Sequence, residues 1–101
     1  MEKVRVYNEL EATYGELAQM LLQLGYKDTS NGTFFRFVYR KRKSIIQLPW
    51  RAATDIVVKA NLAAFSYLLY MQGIIAERDD LAKGIEKNRF LNEKKATPLI
   101  A

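Results

Sequence analysis

Five cations fall within eight residues, at Arg36, Arg40, Lys41, Arg42 and Lys43, and Arg51 follows shortly after. So dense a positive segment suits phosphate or an acidic protein surface rather than proton transfer. Phe34 and Val38 share a strand face with Arg36 and Arg40, which would give nucleic-acid bases an apolar surface beside phosphate-binding arginines. The competing reading is a solvated hairpin tip whose charges keep a sheet edge from pairing. The charge is local. Residues 36–59 hold seven basic groups against Asp55 alone, whereas residues 1–35 hold three against five and residues 60–101 six against five.

The remaining chemistry is bounded by composition. The 101 residues include no histidine and no cysteine. Serine-histidine triads, histidine-ligated metals, imidazole acid–base catalysis, thiolate metal sites and disulfides are thereby excluded. No cofactor and no metal is expected. Glu77, Asp79 and Asp80 lie close together, but helical spacing spreads them round the axis, which fits compensation of a helix dipole better than a cation cage. Any catalysis falls to carboxylates, lysines, arginines or tyrosines. Beside the cations that leaves Tyr39 and Lys43, each of which would need a strongly shifted pKa.

Half of the residues are hydrophobic, enough for one domain with one core. Leu10, Tyr14, Leu17, Leu21 and Leu24 repeat at helical spacing, and Gly25 supplies a left-handed stop. Thr13 with Glu16 and Asn8 with Glu11 are competing capping boxes, so a helix over 13–24 is predicted with an optional extension to residue 8. Lys3 to Tyr7 alternates like a short strand. Tyr26 to Thr29 is a second strand candidate, with Ser30-Asn31-Gly32 as a tight turn of left-handed residues. Thr33 to Arg40 alternates cleanly, Phe35, Phe37 and Tyr39 on one side, but alternation alone leaves open which face is buried. Lys41-Arg42-Lys43 turns the chain into Ser44 to Leu48, and Pro49 ends that strand. Trp50 then either plugs a small core or extends the basic patch with Arg51.

A second helix follows, capped by Asp55 or Asn61 and stopped near Gly73. Its stripes, Leu62, Phe65 and Leu69 on one side and Ala63, Tyr67, Tyr70 and Ile74 on the other, both need cover. The second could be met by a third helix over 76–91 or by another subunit, which makes Tyr67, Tyr70, Ile74, Leu81 and Ile85 candidate interface residues. The thin apolar face of helix 76–91 and the helix-weakening Gly84 suggest that it needs a partner surface. Residues 92–101 are expected to be a flexible tail. Ala60 to Ala76 is uncharged but too short for a bilayer span, and MEKVRVYNEL lacks the apolar run of a secretion signal, so a cytoplasmic chain with no membrane partner is expected.

The fold class is therefore α+β: helix, three-stranded antiparallel sheet, helix, and an added C-terminal helix. In that order Leu22 to Ile75 resembles the HicA-like (YcfA-like) toxin domain, whose fold is akin to double-stranded-RNA-binding domains. Leu24-Gly25-Tyr26 is similar to that family's leucine-glycine-aromatic helix exit. Gly32-Thr33-Phe34, running into Arg36-Phe37, sits where the family has glycine-serine-histidine. Ile46-Gln47-Leu48-Pro49 looks like its proline-ended strand, and Leu62 through Gly73-Ile74 like its closing helix. The resemblance implies that fold and an RNA-facing surface, within a single domain expected over 1–91. Members cleave messenger RNA with the strand histidine under control of an antitoxin; here Phe34 replaces that histidine, and a phenyl ring cannot move a proton.

Three functions follow, in order. The first is a catalytically silent module that binds RNA or another polyanion through Phe34, Arg36, Arg40, Lys41, Arg42, Lys43 and Arg51. The second is a homodimeric or antitoxin-like interaction protein, with a second copy or an acidic antitoxin-like protein as partner. The third is an mRNA-cleaving toxin using chemistry other than histidine's.

Overall fold

The structure, a computed structural model, describes residues 10–51 and 55–96, with side chains through residue 94. Among them the order is β1 (Ala12–Thr13), α1 (Tyr14–Leu24), β2 (Lys27–Asp28), β3 (Phe34–Tyr39), a 3-10 turn (Arg40–Arg42), β4 (Ser44–Pro49), β5 (Ile56–Val57), α2 (Lys59–Met71) and α3 (Asp80–Ala96). This is the expected α+β arrangement of helix, antiparallel sheet β2-β3-β4, helix and C-terminal helix. The strand candidate at Lys3 to Tyr7 lies outside the described residues, as do Ala52 to Thr54.

Helix α1 starts where its capping box closes: Glu16 N–H donates to Thr13 Oγ1 at 3.0 Å, and Thr13 N–H donates to Glu16 Oε1 at 2.9 Å. The earlier start fails because Leu10 and Glu11 are not helical and Ala12–Thr13 pairs with Ile56–Val57 as a two-stranded ribbon. Gly25 ends the helix at φ 104°, a left-handed conformation, and the Tyr39 ring lies where a side chain on residue 25 would go. The next turn departs from expectation, since neither Asn31 nor Gly32 is left-handed. Side chains hold it instead: Asn31 Oδ1 accepts from Thr33 N–H and Phe34 N–H, both at 2.8 Å, and Asp28 Oδ1 accepts from Ser30 N–H at 2.9 Å.

β3 settles which face is buried. Phe35 and Phe37 are 2% and 1% exposed and face α1, with Leu17, Leu21, Ile46, Leu62 and Leu69 completing the core. Phe34, Arg36 and Val38 lie half-buried on the opposite face, across from Pro49, Gln47 and Ile45. β4 is an edge of the sheet, and the backbone groups of Ile45 and Gln47 that point away from β3 meet no partner among the described residues. Neither candidate cap serves α2. Val58 precedes it without a side-chain bond, and the Asp55 carbonyl instead accepts from Tyr14 N–H at 3.1 Å.

Helix α3 packs on its own chain. Leu81 and Ile85, 1% and 0% exposed, belong to the core, which removes them as interface residues for a second subunit. The helix starts at Asp80 rather than residue 76, because the Asp80 carboxylate ties back the N–H groups of Ala76 and Glu77. It continues past residue 91 to Ala96, so 92–96 is helix and not tail; Asn92 Nδ2 donates to Gln19 Oε1 at 3.0 Å. Gly84 is a close-contact point, since a Cβ there would overlap Sδ and Cε of Met20 on α1.

The two helices are also clamped by charge. Arg89 Nε and Nη2 donate to Glu16 Oε2 and Oε1 at 2.6 and 2.9 Å, and Nη2 also reaches the Glu11 carbonyl at 3.1 Å. The bonded guanidinium holds the Glu16 carboxyl below its usual range, and burial opposes this only in part. A carboxyl lowered in the folded state stabilises above the ordinary carboxylate range and loses that effect as pH falls through its folded pKa. Arg89→Ala should therefore cost about 1–2 kcal/mol at neutral pH, and distinctly less near pH 3. Urea unfolding at both pH values reads the difference; equal losses would contradict the clamp.

Candidate nucleic-acid interface

The cations owe their display to the β3–β4 connection. After Tyr39 the chain takes one 3-10 turn through Arg40–Arg42, and Lys43 then adopts φ 52°, ψ 38° with its N–H donating to the Arg40 carbonyl at 3.1 Å. A left-handed lysine costs about 1–2 kcal/mol. The turn is tight enough that all four side chains are exposed. None of the four makes an ion pair with a described residue. Arg42 leans back toward α2, its Nη2 4.0 Å from where a Cβ on Gly73 would lie, at the end where the helix dipole favours a cation.

Beside the turn is a depression of about 350 Å³ lined by Gly25, Val38, Tyr39, Arg40 and Lys41. Its floor is rigid. Tyr39 meets Tyr26 edge-on at 5.3 Å, and the Tyr26 hydroxyl lies 2.7 Å from Ser44 Oγ. Burial raises the Tyr26 pKa, so that phenol stays neutral well above physiological pH. An oxygen-rich anion entering here meets two exposed cations over an aromatic wall.

The other sequence-derived residues divide. Val38 adjoins the turn. Arg36 is on the same outer face, but its Nη1 donates to Thr29 Oγ1 at 2.9 Å, which draws the guanidinium toward β2. Phe34 and Arg51 are at the far end of β3, where Trp50 N–H still donates to the Thr33 carbonyl. Six strand residues, or roughly 20 Å, separate that end from the cations. Trp50 is 42% exposed, yet it packs on Tyr14 and Phe35 and donates from Nε1 to the Asn31 carbonyl at 2.6 Å, so it lids the core rather than extending the patch. On α2, Tyr67 and Tyr70 stay 52% and 40% exposed beside Met71, while Ile74, past the end of the helix, is half-buried against the core.

No local pattern points to the depression, because it joins Gly25 to Arg40 across two elements. Thr29 as an anchor for Arg36 was equally hidden. Position 34 holds a phenyl ring, and its N–H is taken by Asn31 Oδ1, so nothing there handles a proton. Among the described residues no group of histidine, cysteine and carboxylate side chains is placed to hold a metal, and no helix is long and apolar enough to cross a membrane. No family model, curated protein or solved structure matches the chain.

Proposed function

We propose that the chain is a catalytically silent, HicA-like module that binds RNA, or a chemically similar polyanion, through the β3–β4 hairpin. The observation that carries this is the exposed run Arg40-Lys41-Arg42-Lys43, held on a tight turn with no carboxylate partner among the described residues and flanked by an anion-sized depression. Three to four phosphate contacts from such a turn give an affinity for a duplex that falls by about 40- to 150-fold between roughly 50 and 200 mM salt. Fluorescence anisotropy of a labelled structured RNA at those two salts tests it. Micromolar binding that collapses with salt while the RNA stays intact supports the module. No binding at low salt, or binding indifferent to salt, overturns it.

A second function has its own observation in Tyr67, Tyr70 and Met71, which lie exposed together on α2. Tyrosine and methionine are favoured at protein interfaces. In that case the partner is a second copy or an acidic antitoxin-like protein, and light scattering in the same buffer would read a mass above the monomer's.

A further inference from the structure

On the inner side of the sheet, away from the cations, a cleft of about 280 Å³ opens between α1 and the β2–β3 loop. Tyr14 and Ala18 line it from the helix, Phe35 and Trp50 from the sheet, and Asp28 and Ser30 from the loop side. Its aromatic wall is fixed. The ring centroids of Tyr14 lie 5.4 Å from Phe35 and 4.9 Å from Trp50. The Tyr14 hydroxyl donates to the Pro49 carbonyl at 3.0 Å, and the Trp50 indole N–H is committed to Asn31. Those donors are spent, so the wall offers π surface and little else.

The one charged group at the cleft is Asp28. It pairs opposite Phe37 in the β2–β3 ladder, which turns its side chain to the α1 side of the sheet. Oδ1 accepts from Ser30 N–H, and the second oxygen has no partner among the described residues. A carboxylate beside aromatic rings is an attractive site for a cation and a repulsive one for phosphate.

We propose that this cleft binds an organic cation, an ammonium or guanidinium group on an apolar stem, with the charge against Asp28 and the stem along Tyr14 and Trp50. A free amine and a lysine or arginine side chain of a peptide carry the same chemistry. The site is distinct from the cationic turn: it is lined by Phe35 and Phe37 on the α1 face of β3, and none of Arg40–Lys43 lines it.

Trp50 is the single tryptophan in the chain and reports on the cleft directly. Its fluorescence is followed as the full chain is titrated with benzylammonium and, separately, with neutral benzyl alcohol of nearly the same size. The expected result is a saturable change with benzylammonium at least about tenfold tighter than with the alcohol. Asp28→Asn keeps the oxygen that accepts from Ser30 and should bring the two ligands to within about twofold. Ala18→Leu fills the cleft from a helical position and should abolish the change. RNA binding should be unaltered in both variants, so failure here is separable from failure of the hairpin. A blocked arginine peptide binding more tightly than arginine methyl ester would assign a protein partner, and the reverse a free amine. Absence of a saturable change, equal affinity for the alcohol, or an Asp28→Asn variant that behaves as the parent would each overturn the proposal.

Discussion

Replacing Arg40, Lys41 and Arg42 with glutamine and Lys43 with asparagine should lower the affinity for structured RNA by about a hundredfold at low salt and flatten its salt dependence by about three counterions. Asparagine is chosen at position 43 because it tolerates the left-handed backbone there better than glutamine does. The cost of that conformation then falls while the charge is lost, so the fold should hold. Circular dichroism on the same sample establishes this, and anisotropy at a series of salts reads the slope. Arg51→Gln should change the affinity far less, since Arg51 lies at the other end of the strand. If Arg51→Gln and the four-residue variant weaken binding equally, the interface is not the turn.

The Gly84→Leu variant should lose about 1–3 kcal/mol of stability. Glycine is a poor helix former, and alanine in its place would gain about 1 kcal/mol on propensity alone. The site reverses that preference for anything large. α3 lies so close to α1 that even a methyl group meets Met20, and four heavy atoms must displace that side chain altogether. A loss on this scale is a large share of the roughly 5–15 kcal/mol that holds a domain folded. Chemical denaturation reads it. Combined with Met20→Ala the leucine should be partly accommodated, so the double variant should be more stable than the sum of the single losses implies. Unchanged stability in Gly84→Leu would mean that α3 does not pack on α1 as described.

The same glycine shows what the sequence could convey. From the chain alone Gly84 is a weakness in a thin helix, because the apolar positions Leu81 and Ile85 are few. The missing information is the close approach, with Ala82 and a buried Asn88 filling out a face too mixed to stand out by hydrophobicity. By contrast, while the start of α1 stayed open between two capping boxes, a choice settled only by the pairing of Ala12–Thr13 as a strand, its end was legible from its left-handed glycine, a local device that depends on few distant contacts. The β3–β4 hairpin was legible for the same reason, from strict alternation, a cationic turn and a closing proline. Which face of β3 is buried was not, because phenylalanine occurs on both. The β1–β5 ribbon has two residues per strand and leaves no periodicity to find. For the candidate site, the cations were visible as a run, but their separation from Phe34 and Arg51 is a matter of strand length. The cleft depends on Asp28 meeting α1 across the sheet, which no local pattern encodes.

The unpaired edge of β4 bears on how the chain behaves when concentrated. A six-residue strand with free backbone groups and an exposed isoleucine is a template for stacking copies side by side. Here the antiparallel alignment centred on Gln47 sets Lys43 of one copy against Arg51 of the next, twice over. It also sets Ile45 opposite Pro49, which has no N–H to give and whose carbonyl is already engaged by Tyr14. The cations that flank the strand thus oppose pairing of copies through this edge, and colloidal stability should be lost first where salt or a bound polyanion masks them.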